Sequence, residues 1–258
     1  MTSSVLLPTS LWLRSRAHRV ADWMRKDEAA RARAQLRREL DSGTLAVERL
    51  AACPGCGTSR RPWLLATVER MAIPHRTVLC RDCGLSYSSP RMTPAALDAF
   101  YRGLYWRLTD PGAVLQNTSE RFVRGESILA WTRERIPAGG LVVELGCGRG
   151  YNLVPFQRAG FSAIGYEPDA QCATFAREQF QLDVRTGGLD ELVASGVGAD
   201  LLVVSHVIEH MTDPRQSLAR ARSALAPGGA LYVEAPGLLN LDQPTYAGSL
   251  LRYLQVAH

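Results

Sequence analysis

The sequence predicts an α/β fold: a Rossmann-like parallel sheet with crossover helices, preceded by a small four-cysteine module and a helical cap. Three observations predict it. Residues 141–150 (LVVELGCGRG) carry an apolar strand directly into glycines at three alternate positions. Beyond them, apolar runs alternate with helical patterns as far as Glu234, which implies parallel strands with ligands at their carboxyl ends. Upstream, two Cys-x-x-Cys pairs are separated by residues 57–79.

The glycines come first because they form a ligand cradle. A side chain at 146, 148 or 150 would hold the backbone away from whatever lies across it. A dinucleotide fingerprint places its last glycine one residue later, where this chain has Tyr151. Glu144, at the mouth of the loop, would repel a pyrophosphate but suits a ligand bearing an ammonium and a sulfonium. S-adenosylmethionine bears both. Glu144, Gly146, Cys147, Gly148 and Gly150 are therefore the first cofactor-binding candidates, against the alternative of a plain strand-to-helix turn.

The following elements are expected in order. A crossover helix over 151–159 leads to a strand over 163–166 and to Glu167, whose carboxylate can accept both ribose hydroxyls of an adenosine. Pro168 and Asp169 start a helix over 170–180. A strand over 182–185 leads to the loop 186–189, where Gly188 and Leu189 should face the adenine, and a helical turn follows over 190–194. Residues 200–205 are apolar on both faces, as a central parallel strand should be. A helix over 218–225, a turn at 227–229 and a strand over 230–234 complete the pattern.

Cys53, Cys56, Cys80 and Cys83 have the spacing of a tetrahedral four-cysteine zinc site, each pair followed by glycine. Four thiolates leave no open coordination position, so the metal would be structural, supplying folding energy to a segment too short to bury a core. Two disulfides or a redox pair compete with that reading but need an oxidising compartment or a thioredoxin-like setting. A nucleic-acid-binding ribbon is a further alternative, weakened by a single aromatic, Trp63, among the intervening arginines.

Between module and sheet, Thr93 is a plausible N-cap for a helix over 94–105 with proline at its first position. Its Phe100, Tyr101, Tyr105 and Trp106 either pack on the domain below or wall a substrate pocket. Residues 107–117 read as loop. A helix over 119–136 should bury Phe122, Ile128, Leu129 and Trp131.

At the amino end, an apolar patch (Val5 to Leu13) is interrupted by Pro8, too short for a membrane span and without the cleavage site of a secretory signal. A cytoplasmic location is expected, with a faint likeness to an organelle transit peptide as the alternative. Residues 20–50 favour helix, with Asp27 and Arg31 placed to pair one turn apart and a solvated face preferred to an RNA-binding arm. The net charge of +5 is modest and spread along the chain, so nucleic acid is not an expected partner. The expected organisation is an extension over 1–50, a zinc module over 51–90, a cap over 91–137 and a cofactor-binding domain over 138–258.

Taken together, Glu144-Leu-Gly-Cys-Gly-Arg-Gly150, Glu167, the stretch from Asp200 to Pro214 and Leu225-Ala-Pro-Gly-Gly229 resemble the class I S-adenosylmethionine-dependent methyltransferase family. The cysteine module followed by Gly84-Leu-Ser-Tyr-Ser-Ser-Pro90 resembles the zinc-binding region that precedes some of these enzymes, including bacterial sugar C-methyltransferases. The resemblance implies methyl transfer to a small molecule, such as a sugar nucleotide or natural-product intermediate. It also implies two more strands after the fifth, where only 24 residues follow Glu234, so a truncated or edge-less sheet is expected. The acid usual in the adenine-facing loop is not evident at Gly188-Leu189. The terminal His258 resembles a position that family members place near the acceptor.

Chemistry is expected just past the fourth strand, from Ser205 to Pro214. His206, Glu209 and His210 fall within one turn of each other and are the catalytic candidates, with Ser205 beside the cofactor. The bland alternative is hydrogen-bonded loop histidines. His206-Val-Ile-Glu209-His210 also fits a zinc-protease pattern, but that motif belongs inside a helix and not at a strand end. An RNA methyltransferase and a non-catalytic binding protein are the competing functions.

Overall fold

The computed structural model describes residues 26–70, 73–109 and 118–236. The expectations for residues 1–25, for the strands after Glu234 and for His258 lie outside them.

Among the described residues the main sheet has five strands, all parallel: β6 (Leu141–Leu145), β7 (Ser162–Glu167), β8 (Asp183–Thr186), β9 (Ala199–Ser205) and β10 (Leu225–Glu234). Their spatial order is β10-β9-β6-β7-β8. The winding reverses at β6, which pairs with β7 on one side and β9 on the other, so a crevice opens at the carboxyl ends of those strands. Successive residues of a strand point to opposite faces. Val142, Leu201 and Val203 therefore meet Leu153, Phe156, Ala173 and Ala176 on one side, while Val143, Leu202 and Val204 meet Leu192, Ala221 and Ala224 on the other.

The crossover helices are α5 (Leu153–Arg158), α6 (Ala170–Phe180), α7 (Leu189–Ala194) and α8 (Pro214–Ala221). The Asp169 carboxylate caps α6 by accepting from the Cys172 N–H at 2.8 Å. The last helix differs from expectation. It starts at Pro214, capped by Asp213 accepting from the Gln216 N–H at 2.9 Å, and ends before residue 222. Asp-Pro outweighed the apolar periodicity farther on, because it satisfies an orphan amide and presets the backbone. Strand β10 likewise begins early, at Leu225, and absorbs the Pro227-Gly-Gly turn as an irregularity between Leu225 and Ala230.

Upstream of the sheet lie α1 (residues 26–41), α2 (Pro94–Gly103), α3 (Tyr105–Thr109) and α4 (Thr118–Thr132). Thr93 caps α2 through the Ala96 N–H at 3.3 Å, and Asp27 pairs with Arg31. The segment expected as loop from 107 begins instead as the end of α3. Helix α1 is not solvated all round: Ala32 and Leu36 share a core with Ala96, Phe100, Leu104 and Leu108. Strands β1 (Val47–Glu48) and β5 (Arg91–Met92) pair antiparallel and close this unit. Helix α4 ends in a 3-10 turn, Arg133–Arg135. Its buried face runs through Phe122, Gly125, Ile128 and Thr132, leaving Trp131 72% exposed, against expectation. Trp131 lies one residue off that face, and Gly125 lets α4 sit against the backbone of Asn152.

The cysteine module is an antiparallel three-stranded sheet, β2 (Trp63–Arg70), β3 (Ile73–Leu79) and β4 (Ser86–Ser88), with the two cysteine turns at one end. No helix among the described residues is long and apolar enough to cross a membrane.

Candidate functional site

The site is a cavity of about 920 Å³ at the carboxyl ends of β6, β7, β9 and β10, roofed by α2, α3 and α4. At its floor, β6 turns at Gly146, whose N–H donates to the Tyr166 carbonyl at 2.8 Å. The backbone there has φ +68°, and a Cβ would stand 2.5 Å from Val207. Only glycine meets both demands. Two residues on, the Gly148 N–H donates to Glu167 Oε2 at 2.8 Å, which ties the cradle to the end of β7.

Glu167 is 4% exposed. Its Oε1 also accepts from the Asp169 N–H at 3.0 Å and from the Trp106 indole N–H at 3.4 Å. Burial pushes its pKa up, and these N–H donors oppose the rise. Glu144 is more deeply buried, at 1% exposure. One oxygen accepts from the Asn152 amide at 2.7 Å; the other, Oε2, has no hydrogen-bond partner among the described residues. Burial pushes its carboxyl up to about 8, against the Asn152 amide and with help from the Glu167 charge. A fully buried carboxylate with an unused oxygen is costly unless a cation comes near. Glu144 does not itself line the cavity, contrary to the expectation that it stands at the loop's mouth; Asn152, which it holds, does.

The other wall comes from the ends of β9 and β10. Ser205 and Glu234 are paired in register, and the Ser205 hydroxyl donates to Glu234 Oε2 at 2.9 Å. His206 takes a left-handed conformation, φ +53°, with its N–H on the Glu234 carbonyl at 2.8 Å. Such a backbone in a non-glycine residue carries strain and here turns the ring between two acids. Its Nδ1 faces Glu209 Oε1 at 3.4 Å and its Nε2 faces Glu234 Oε1 at 3.5 Å. His210, in the 3-10 turn Ile208–His210, sits edge-on to Tyr101 and Tyr105, with ring centroids 5.4 and 6.2 Å away. The Tyr101 hydroxyl is buried with no hydrogen-bond partner among the described residues, and burial pushes its pKa well above the usual value.

Of the residues singled out from sequence, Gly146, Cys147, Gly148, Glu167, Gly188, Leu189, Ser205, His206 and His210 line this cavity. Gly150 and Glu209 lie behind them. Leu189 opens α7 and is not loop. Of the cap aromatics, Tyr101, Tyr105 and Trp106 line the cavity, whereas Phe100 packs in the cap's own core. Sequence reasoning missed Asn152 and Glu234. Glu234 was within reach, since it closes a strand whose carboxyl end faces the crevice; nothing local marks Asn152.

The four cysteines form a second site. Their sulfurs all lie within 4.8 Å of one another, with Cys53–Cys83 and Cys56–Cys80 each at 3.7 Å. A disulfide needs about 2.05 Å, and all four cysteines are free thiols. Thiolates about 2.3 Å from a tetrahedral zinc ion stand about 3.8 Å apart, which matches. Both turns are built alike: the Gly57 N–H reaches the Cys53 carbonyl at 2.9 Å and the Gly84 N–H the Cys80 carbonyl at 3.1 Å.

Residues 118–258 match the family described as Methyltransferase domain. The chain belongs to that family. A ubiquinone biosynthesis O-methyltransferase from Caulobacter sp. (strain K31) is 31% identical over 122 residues, covering 43% of this chain and 48% of that protein. The C-methyltransferase NovU from Streptomyces niveus is 28% identical over 172 residues, covering 65% of this chain and 39% of the other. Among solved structures, that of SAM-bound CalS10, an amino pentose methyltransferase from Micromonospora echinaspora, has a TM-score of 0.41 and 20% identity, covering 46% of this chain and 52% of that one. The chain thus spans about half the length of the curated O-methyltransferase it matches.

Proposed function

We propose that this chain is an S-adenosylmethionine-dependent methyltransferase that acts on a small-molecule acceptor, a sugar nucleotide or natural-product intermediate, by in-line displacement. The observation that carries the reading is the pair of buried carboxylates, Glu144 and Glu167, at neighbouring strand ends around the glycine cradle. Glu144, behind the Asn152 that lines the cavity, keeps one oxygen without a partner, so that its charge can favour a cationic ligand across that wall, and Glu167 stands where a ribose diol is received. The bound cofactor would supply an electrophilic methyl group on its sulfonium.

In this reading Gly146, Cys147 and Gly148 form the bed for the cofactor, with Gly150 behind them against Leu182 and Ala176, Gly188 and Leu189 flank its base, and Ser205 lies at the reacting end. The acceptor enters between the Tyr101–Tyr105 wall and the His206–Glu209–His210 group, which aligns it and takes its proton. His206 can act as the base once one ring nitrogen turns from its carboxylate to the acceptor. Alignment accounts for much of the catalysis in such a displacement. The names of relatives acting in ubiquinone biosynthesis and as C-methyltransferases support a small acceptor over RNA.

Cys53, Cys56, Cys80 and Cys83 hold a structural zinc ion, which favours a reducing compartment, the cytoplasm. The organisation that goes with this reading is an extension over 1–50, a zinc module over 51–90, a cap over 91–137 and a methyltransferase domain over 138–258.

The test is calorimetry of zinc-loaded protein with S-adenosylhomocysteine and, separately, NADH. Binding of the first alone is expected; heat with NADH alone would overturn the cofactor assignment. Labelled methyl donor offered with nucleotide sugars, phenols and RNA then sorts the acceptors, and label entering RNA alone would overturn the small-molecule reading.

A further inference from the structure

We infer that Trp106 of the cap is a cofactor-site residue that occupies part of the Glu167 carboxylate and yields it to the ribose when the nucleoside binds. The inference rests on the reading of Glu167 as the ribose acceptor.

A carboxylate offers about four lone-pair positions. In Glu167 three are taken: Gly148 N–H on Oε2, and Asp169 N–H and the Trp106 indole on Oε1. A ribose diol needs two, and one remains. The two backbone donors belong to the cradle and to the start of α6, so neither can leave without dismantling the fold. The indole can. Its contact, at 3.4 Å, lies beyond the usual 2.7–3.2 Å range and is the weakest of the three.

The ring also lies on the surface the cofactor needs. Atoms Cζ2 and Cη2 of Trp106 stand 3.1 and 3.3 Å from where a Cβ on Gly148 would be, so the indole covers the open face of that glycine. The helix carrying it is held elsewhere. Leu104 and Leu108 are buried in the cap core, and Arg107 donates to Gln35 of α1 at 2.9 Å and pairs with Glu28. With its backbone so anchored, Trp106 gives way by rotation of its own side chain, and the cap need not open.

The test is S-adenosylhomocysteine titration of the zinc-loaded wild-type chain, Trp106→Phe and Trp106→Leu, read by calorimetry and by tryptophan emission. Removing a competing donor to a charged acceptor should tighten binding roughly threefold to tenfold in both variants. The wild type should show a ligand-dependent emission change that the variants lack. Two variants of different shape guard against one that fails to fold, and melting curves identify it. Unchanged or weaker binding in the folded variants would overturn the inference while leaving the cofactor reading intact, since the indole would then rest on the bound nucleoside. Failure of the wild type and both variants to bind would overturn the cofactor reading, and this inference with it.

Discussion

Replacing Glu144 by Gln tests the electrostatics of the site most directly. Its carboxyl is raised from 4.5 to about 8, chiefly by burial. An acid with a folded pKa above its unfolded value costs stability as pH rises, because the unfolded chain ionises first. The cost is absent below pH 4.5, grows toward pH 8 at about 1.4 kcal/mol per unit, and then levels off near 5 kcal/mol as an upper limit. Glutamine keeps the acceptor for Asn152 and never ionises. Glu144→Gln should therefore melt with the wild type at pH 5 and above it at pH 8.5, by up to about 10 °C for a chain of this size. Ligand binding should respond in the opposite sense. An ammonium near Glu144 favours its ionised form, so wild-type affinity for S-adenosylhomocysteine should rise between pH 6 and 8 with release of a proton, while the variant binds weakly and without pH dependence. Melting scans at the two pH values and calorimetry in buffers of different ionisation enthalpy read both effects. A variant no more stable than the wild type at pH 8.5, or wild-type affinity flat from pH 6 to 8, would refute the reasoning.

Glu167→Ala should weaken S-adenosylhomocysteine binding by roughly tenfold to a hundredfold, measured by calorimetry, because a charge-assisted acceptor is lost. Metal analysis should find one zinc ion per chain, absent from Cys80→Ser, and chelation should unfold the segment 51–90, seen as lost amide protection there. Gly125→Ala should destabilise the protein by about 1–3 kcal/mol in denaturant titration, since the added methyl would stand 2.5 Å from the Asn152 carbonyl oxygen.

What the sequence determined by itself was whatever a short stretch of backbone dictates. The strand and glycines of 141–150, the acid closing the next strand and the two cysteine turns all depend on residues within a few positions of each other. Steric limits on the backbone and the periods of strand and helix act locally, so these features were legible together with the parallel sheet they build. The caps at Thr93 and Asp169 were legible for the same reason.

Only the tertiary structure decided which surfaces meet. It turned Trp131 outward and put Gly125 against Asn152, since the phase of α4 is fixed by a backbone far along the chain. It docked α1 on the cap, sank Glu144 behind Asn152, and brought Glu234 to His206 and Trp106 to Glu167. Each of these contacts joins segments whose spacing in sequence carries no signal. They exist because apolar faces distant in the chain bury one another, and the polar groups at their rims must then find partners within reach.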